Sequence, residues 1–289
     1  AVPRKLLAGT RHASSVAATL QDIRSQLMRY QAGTVELTKD SDTGIAVLTL
    51  NNPGKKNALS GSMMVELADH VTALGQWKEG KGVILTGADN AFCSGGDLKT
   101  VAAILNSHDG ERMSEFMHDS LTRLHALPLI SLALLQGVAL GGGAELATAC
   151  DFRVMTPKAK VGFVQVKMGV TTGWGGATRL FKLLGRRRAL DLLSSGRLLD
   201  TEEAHSIGFA DHIILSHAGD TSLEEAKTLL QDQYCCGQVQ LVRAVKRMVT
   251  KLEASQTLSD ALEHERTIFA SFWGGELQKA ALEKNIKHS

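Results

Sequence analysis

The alternation of apolar and polar positions predicts that short strands and helices follow one another up to about residue 220. Two β-rich runs, Thr34–Lys39 and Ile45–Leu50, flank the turn-forming residues Asp40–Gly44, which predicts a hairpin. Ser62–Trp77 has apolar residues at helical spacing, and Gly82–Gly87 is typical of a short buried strand. Further strands are predicted at Ile130–Gln136, Phe152–Met155 and Val161–Phe163, and further helices at Glu111–Leu127, Ala144–Cys150, Gly176–Leu184 and Arg186–Ser195. This alternation favours an α/β fold with largely parallel strands.

Beyond residue 220 the predicted strands stop. The segments that fit amphipathic helices there are Ser222–Tyr234, Val239–Leu252, Leu258–Trp273 and Glu276–Lys287. The change predicts three parts, namely a leader over residues 1–33, an α/β core over 34–220 and a helical module over 221–289. The leader contains several basic residues and no acidic residue before Asp22, which is typical of a targeting segment. A poorly ordered leader without that role is the alternative.

Composition and charge exclude several classes of protein. Of 289 residues, 44% are hydrophobic and 21% are charged, which excludes a disordered chain, a collagen and a coiled-coil rod. The net charge of +2 is too small to indicate nucleic acid or a membrane surface as partner. The unusual feature is 28 Gly against 4 Pro, with twelve of the glycines between Gly95 and Gly176. Local glycine clusters are typical of backbone that approaches a ligand closely.

Two glycine clusters follow predicted strands at the point where a helix begins. The first is Ala91–Lys99 (A-F-C-S-G-G-D-L-K), and the second is Gly137–Leu146 (G-V-A-L-G-G-G-A-E-L). The N–H groups at a helix start lack intrahelical partners, and two of them aimed at one oxygen form an oxyanion hole. A tight strand–helix turn is the alternative for either cluster alone. Neither cluster has the spacing of a P-loop or of a dinucleotide-binding loop.

Taken together, the two clusters resemble those of the crotonase (enoyl-CoA hydratase/isomerase) superfamily. Asn52–Leu59 (N-P-G-K-K-N-A-L) and Gly173–Leu180 (G-W-G-G-A-T-R-L) extend the resemblance, which covers about residues 34–270. It implies a crotonase-like spiral of ββα units with a C-terminal helical trimerisation module. The implied assembly is a homotrimer or a dimer of trimers, and the implied partner is an acyl-CoA thioester substrate.

The resemblance also implies roles for individual residues. The thioester oxygen would accept hydrogen bonds from the backbone N–H groups of Gly96 and Gly142. Glu145 would be the catalytic carboxyl group. The substrate-binding residues that the resemblance implies are Lys56, Ala58, Lys99, Gly141, Gln165 and Trp174. A bulky indole inside a glycine loop predicts that Trp174 limits the acyl pocket, with ordinary core packing as the alternative.

Two positions narrow the implied reaction. Hydratases of the superfamily handle water with two glutamates, and their positions correspond to Glu145 and Gln165. An amide cannot act as a base, so Gln165 disfavours hydration and the isomerisations that need a second glutamate. The sequence is most similar to members that decarboxylate ethylmalonyl-CoA. The resemblance therefore implies conversion of ethylmalonyl-CoA to butyryl-CoA, and more weakly of methylmalonyl-CoA to propionyl-CoA, in a metabolite-repair role.

Decarboxylation of a malonyl-type thioester makes modest demands on the protein. The enolate must be stabilised, and one proton must reach the α-carbon. No metal, biotin or redox cofactor is needed, because the two N–H groups would stabilise the enolate, and CoA is part of the substrate. We predict that Glu145 donates this proton or positions the substrate carboxylate, since a neighbouring carboxylate and desolvation favour a protonated carboxyl group. Capping of its own helix start is the alternative.

Other functions and locations stay open on the sequence. One is a different crotonase reaction, such as an isomerase or hydratase with Glu145 as sole base. Another is an RNA-binding relative, since Arg186–Arg188 and Arg243–Arg247 form basic patches. The balanced total charge counts against nucleic acid, and the absence of an apolar run of 18 residues counts against a membrane. We expect the cytosol as location, with the mitochondrial matrix as the alternative that the basic leader suggests.

Overall fold

The computed structural model describes residues 20–215 and 220–283. The strands are β1 (Thr34–Asp40), β2 (Ile45–Asn51), β3 (Gly82–Gly87), β4 (Ile130–Leu135), β5 (Val138–Leu140), β6 (Phe152–Met155), β7 (Lys160–Gly162) and β8 (His212–Ile213). The helices are α1 (residues 20–27), α2 (Gly61–Gln76), α3 (Leu98–Ala103), α4 (Ser107–Ala126), α5 (Gly142–Ala147), α6 (Gly176–Ser195), α7 (Thr201–Ser206), α8 (Asp220–Leu229), α9 (Val239–Ala254), α10 (Leu258–Phe272) and α11 (Glu276–Glu283). Each strand and helix predicted from the sequence has a counterpart among them. The elements α1, β5, α7 and β8 were not predicted.

Six strands form the main sheet, in the order β1-β2-β3-β4-β6-β8. β1 and β2 pair antiparallel, with Thr34 opposite Asn51, so the predicted hairpin is confirmed. The other four pairings are parallel, which confirms the prediction of an α/β fold with largely parallel strands. β3 and β4 are buried at nearly every position, because the sheet is covered on both faces. Their unbroken apolar sequences follow from that burial.

A second, two-stranded sheet places the glycine-rich helix starts. β5 and β7 pair in parallel outside the main sheet. The chain passes from β4 in the main sheet into β5 in the second sheet, and then directly into α5. This strand–strand–helix order is that of one ββα unit. It brings the start of α5 to the edge of the second sheet, where the glycine run begins.

The two faces of the main sheet bury separate apolar clusters, because side chains alternate along each strand. On β4, Leu135 belongs to the larger cluster, which also contains apolar residues of α2 and α4. Leu134 faces the other way and joins a smaller cluster with Ala226 of α8 and Val242 of α9. α8 and α9 therefore complete the core. The change in sequence pattern near residue 220 does not separate them from it.

Part of the segment predicted as a leader belongs to the folded core. Ile23 and Leu27 of α1 are completely buried in the larger apolar cluster. Arg24 pairs with Asp69 of α2 through two hydrogen bonds of 2.7 Å. Residues 20–27 thus pack as core helix, and residues 1–19 of the predicted leader lie outside the described residues.

The predicted C-terminal helices are present, and they differ in how they pack. α9 buries Lys246, whose ammonium pairs with Asp151 beside the main sheet. Asp151 also accepts hydrogen bonds from the N–H and the hydroxyl of Ser131, at 2.8 and 2.9 Å. α10 packs against α9, whereas neither α10 nor α11 has a buried residue in the described part of the chain. The outer helices therefore carry an exposed surface rather than core.

Candidate active site

Three segments that are distant in sequence lie side by side next to the second sheet. The loop after β2 joins the first glycine cluster, because the Leu59 N–H donates to the Gly95 carbonyl and the Asp97 N–H donates to the Leu59 carbonyl, both at 2.8 Å. The first cluster joins β5, because the Leu140 N–H donates to the Cys93 carbonyl at 2.9 Å. The two glycine clusters predicted from the sequence therefore meet at one place in the fold.

The backbone N–H groups of Gly96 and Gly142 at this meeting point have no protein acceptor in the described part of the chain. Gly142 is the first residue of α5, where no intrahelical acceptor exists. The segments are close together, since a Cβ built on Gly95 would stand 3.3 Å from the Gly142 nitrogen. Gly141 adopts φ 54° and ψ −117°, which a side chain would strain. Two unpaired N–H groups side by side are what an oxyanion hole requires.

A cavity of about 670 Å³ lies beside these N–H groups. Its apolar side chains come from the loop after β2, α3, the second glycine cluster and the turn after β7. They are Ala58, Leu98, Val101, Leu140, Val164, Met168 and Val170. Its charged side chains are Lys55, Asp97 and Lys99. A mostly apolar cavity with a few charged groups fits a ligand that has both an apolar and an anionic part.

The charged side chains are organised around Asp97, which caps α3. Its Oδ1 accepts the N–H groups of Lys99 and Thr100 at 3.1 and 3.2 Å, and its Oδ2 accepts the Lys55 ammonium at 2.5 Å. Burial raises the pKa of Asp97, but these hydrogen bonds, that of Lys55 first, hold its pKa below the ordinary value. An ionised Asp97 thus fixes Lys55 at the cavity. An ammonium has three donors, so Lys55 can bind an anion while it keeps this pair.

The Glu145 carboxylate lies on α5 and is only 2% exposed. Its Oε1 accepts from the Gln165 side-chain amide at 2.8 Å and from the Gly173 N–H at 3.2 Å. Its Oε2 accepts from the N–H groups of Trp174 and Gly176, both at 2.8 Å. All four partners are donors, which suits an ionised carboxylate because that group only accepts. The predicted role of Glu145 as proton donor stays a prediction.

The orientation of the Gln165 amide follows from its neighbour. Its nitrogen donates to Glu145, so its oxygen must point away from that carboxylate. The Gln165 Oε1 is buried and has no hydrogen-bond partner in the described part of the chain. At the position where a hydratase would carry its second glutamate, this chain therefore has a group that cannot take up a proton.

The Trp174 ring packs against both glycines that carry the unpaired N–H groups. A Cβ built on Gly142 would stand 2.4 Å from Cζ3 of the ring, and one built on Gly96 would stand 3.8 Å from Cζ2. The ring nitrogen donates to the Met113 sulfur at 3.1 Å, and Trp174 is 5% exposed. The indole thus lies directly behind the proposed oxyanion donors.

Comparison with known proteins decides the family. The family model described as enoyl-CoA hydratase/isomerase matches residues 40–284. The chain belongs to the enoyl-CoA hydratase/isomerase (crotonase) family. An ethylmalonyl-CoA decarboxylase of Gallus gallus is 47% identical over 265 residues, which cover 92% of this chain and 88% of the relative. The Homo sapiens ethylmalonyl-CoA decarboxylase is 43% identical over 267 residues, which cover 92% of this chain and 86% of the relative.

Solved structures confirm the fold of this crotonase family member. An enoyl-CoA hydratase from Bacillus anthracis superimposes with a TM-score of 0.78 at 27% identity, over 88% of this chain and 95% of that chain. The α/β crotonase fold that the resemblance implied is therefore confirmed, with a mixed sheet and C-terminal helices.

Most of the site residues implied by the crotonase resemblance come together in the structure. Those that line the cavity are Ala58, Gly96, Lys99, Gly141, Gly142 and Gln165. Glu145 contacts Gln165 behind this lining, and Trp174 contacts Gly96 and Gly142 behind it. The sequence identified these residues, but it did not show which of them line the cavity and which lie behind the lining residues.

The structure places Lys56 outside the cavity lining, and its implied role in substrate binding stays a prediction. Lys56 is exposed, has φ 49° and is not among the residues that line the cavity. Its neighbour Lys55 lines the cavity instead and pairs with Asp97. Pro53–Lys55 forms a single 3-10 turn, and the left-handed residue after it changes the direction of the chain. A turn beginning at Asn52-Pro53-Gly54 was the available sequence signal that adjacent lysines would diverge.

Half of the basic side chains in the patches that suggested an RNA-binding crotonase relative bind other parts of the protein. Lys246 pairs with Asp151, and Arg243 donates to the carbonyls of Trp77 and Gly80 at 2.8 and 3.0 Å. Arg188 donates to the Ile207 carbonyl at 3.0 Å. These contacts favour a structural role for the patches. Over the described ranges, no helix has the length and apolar character needed to cross a bilayer.

Proposed function

We propose that this crotonase family member decarboxylates ethylmalonyl-CoA to butyryl-CoA, and methylmalonyl-CoA to propionyl-CoA more slowly. The observation that carries the proposal is the pair of unpaired N–H groups, Gly96 and Gly142, beside a cavity whose second acid position is Gln165. Relatives named ethylmalonyl-CoA decarboxylase at 43–47% identity support the choice of substrate.

The proposed reaction uses the two N–H groups at the moment when charge develops. The thioester oxygen accepts hydrogen bonds from Gly96 and Gly142. The bond between the α-carbon and the carboxylate carbon then breaks, and its electron pair passes into the enolate, whose oxygen carries the charge. CO2 departs, and one proton adds to the α-carbon. The donors stabilise the enolate more than the neutral thioester, so they lower the barrier.

The cavity lining supports both ends of such a substrate. Lys55 and Lys99 provide positive charge for the phosphates of CoA. The apolar residues Val101, Leu140 and Val164 surround the region next to the oxyanion donors. A carboxylate brought into apolar surroundings loses hydration, whereas departing CO2 is uncharged. This difference favours carbon–carbon cleavage.

A product assay tests the proposed reaction. We expect the purified protein to release CO2 and butyryl-CoA from ethylmalonyl-CoA in equal amounts, as measured by CO2 capture and mass spectrometry. Methylmalonyl-CoA should react more slowly. A 2-enoyl-CoA in the same panel is the control, because Gln165 leaves no second acid for hydration. Hydration or double-bond migration without CO2 release would instead establish the rival crotonase chemistry.

We also propose that the outer helices mediate a homotrimer or a dimer of trimers. α9, α10 and α11 line an apolar groove of about 450 Å³. Phe269 and Trp273 at this surface are 57% and 65% exposed. Exposed apolar patches of this kind mark interaction surfaces. Sedimentation velocity of the full chain should give the mass of three or six copies, and a monomer at micromolar concentration would contradict the proposal.

A further inference from the structure

The loop Gly173–Gly176, which precedes α6, is held by hydrogen bonds on both of its edges. Three of its N–H groups donate to the Glu145 carboxylate, at 2.8 to 3.2 Å. Two of its carbonyls accept hydrogen bonds at 2.5 Å, one from the Ser114 hydroxyl and one from the Arg179 guanidinium. A loop tied on both edges holds its side chain in one place, and that side chain is Trp174.

Glu145 is placed to hold this loop rather than to reach a substrate. Its carboxylate is 2% exposed. The Gln165 side chain lines the cavity and donates to this carboxylate, so it lies between the carboxylate and the cavity. Every hydrogen bond to the carboxylate comes from a donor, and three of the four come from the loop. The Glu145 carboxylate is therefore placed to act by positioning the loop Gly173–Gly176.

The position of Trp174 bears on the length of the acyl group. When the N–H groups of Gly96 and Gly142 bind the thioester oxygen, the α-carbon lies two covalent bonds from that oxygen. The indole packs against both glycines, so it fills the space directly behind the donors. Its nitrogen donates to Met113 at 3.1 Å, which further fixes the ring. A branch on the α-carbon that is longer than the remaining space would collide with this ring.

We propose that Glu145 is a positioning residue whose carboxylate holds Trp174 as the end wall of the acyl pocket. This wall restricts the substrate to malonyl thioesters with a short α-branch. The inference rests on the proposed decarboxylation. Trp174 is the specificity-determining residue, and Glu145 acts through it. α5 links the two functions, because its first residue, Gly142, supplies an oxyanion donor and its fourth, Glu145, holds the wall.

Trp174→Phe and Trp174→Leu test the wall directly. The substrates are methyl-, ethyl-, propyl- and butylmalonyl-CoA, and the measurement is kcat/KM for CO2 release. In wild type we expect a fall of about tenfold for each methylene beyond ethyl, since one methylene in an apolar pocket discriminates by that order. In both variants, the ratio of kcat/KM for propylmalonyl-CoA to kcat/KM for ethylmalonyl-CoA should rise by about tenfold. An unchanged ratio in both variants would contradict the proposal that Trp174 forms the end wall of the acyl pocket.

Glu145→Gln tests the positioning role. Glutamine keeps the shape, but its NH2 group would face backbone donors, so the loop loses part of its hold. We expect the propyl-to-ethyl ratio to move in the same direction as in Trp174→Phe, while overall activity falls. A proton donor would behave differently, because its loss would lower activity on all four substrates by one factor and leave the ratio unchanged. That second result would refute the positioning role.

Two control variants separate selectivity from general damage. Trp77→Phe removes another buried indole, 7% exposed, whose ring packs against Gly80 and not against Gly96 or Gly142. Glu66→Gln alters another carboxylate that accepts a backbone N–H, that of Val35 at 2.6 Å. Both should leave the ratio of propyl to ethyl unchanged. A shift in either control equal to that in the site variants would mean that the ratio reports stability, which would contradict the proposal.

A binding measurement separates the failure of this inference from the failure of the proposed reaction. Calorimetry gives Kd for butyryl-CoA and hexanoyl-CoA without turnover. We expect wild type to prefer butyryl-CoA and Trp174→Leu to reduce that preference by about tenfold. If this shift occurs without CO2 release from any malonyl thioester, the wall is supported and the reaction is refuted. If CO2 is released and neither ratio responds to Trp174, the reaction stands and the wall is refuted.

Discussion

Gly142→Ala should lower kcat for decarboxylation by about 10²- to 10³-fold, whereas Gly96→Ala should keep most of the activity. Neither glycine has a positive φ, so the backbone accepts alanine at both positions. The difference lies in the space for the new methyl group. At Gly142 it would stand 2.4 Å from Cζ3 of Trp174, which forces the ring or α5 to move. At Gly96 the nearest atom, Cγ2 of Val101, is 3.3 Å away and belongs to a side chain that can adjust.

Single-turnover rates with ethylmalonyl-CoA measure this difference, and circular dichroism confirms that both variants fold. Combining Gly142→Ala with Trp174→Leu removes the ring that the methyl group would meet, so part of kcat should return. Such a rescue would show that the loss comes from the collision. Equal losses at Gly96 and Gly142 would contradict the asymmetric packing of Trp174. Full activity of Gly142→Ala would show that the methyl group does not collide with the indole, because alanine keeps the backbone N–H of residue 142.

Lys55→Met should raise KM for ethylmalonyl-CoA by about tenfold with a smaller change in kcat, whereas Lys56→Met should have the lesser effect. Lys55 lines the cavity and is held there by Asp97 at 2.5 Å. A hydrogen bond to a charged group contributes about 1.5 kcal/mol or more, which corresponds to about a tenfold change in affinity. Lys56 is exposed and outside the lining, so water screens its charge from a bound ligand.

The dependence of KM on salt separates these two lysines. Wild-type KM should rise with ionic strength, because attraction of the CoA phosphates to the cavity is screened. Lys55→Met should reduce that dependence, and Lys56→Met should retain it. If Lys56→Met produced the larger rise in KM, the assignment made from the sequence would be correct and the placement of Lys55 at the substrate would be wrong.

Local pattern was sufficient for the main elements of the fold. The hairpin of β1 and β2 and the strands β3 and β4 follow from alternation and turn residues, and the structure confirms them. The division of α6 was also predictable, since the separately predicted helices Gly176–Leu184 and Arg186–Ser195 meet at Gly185, where φ is 75°. These features depend on neighbours in sequence. A short window of residues therefore contains the information that decides them.

The local sequence pattern did not predict which residues of α1 and α9 are buried, because their burial depends on long-range packing. The basic composition around α1 suggested a leader, yet Ile23 and Leu27 are completely buried. Their burial depends on α2 and on the larger apolar cluster, which are formed by residues far along the chain. The burial of Lys246 is a similar case, because its partner Asp151 lies 95 residues away in sequence. A window of sequence does not contain such partners.

The sequence by itself determined the class of fold, the two glycine clusters and the absence of a second glutamate at Gln165. These features depend on residue type and spacing, which can be read directly from the sequence. Only the tertiary structure decided that Lys55 rather than Lys56 lines the cavity, and that Glu145 is bound by a loop 28 to 31 residues later. The reason is physical, since the direction of a side chain and the partners of a buried carboxylate are set by segments that meet only in the folded molecule.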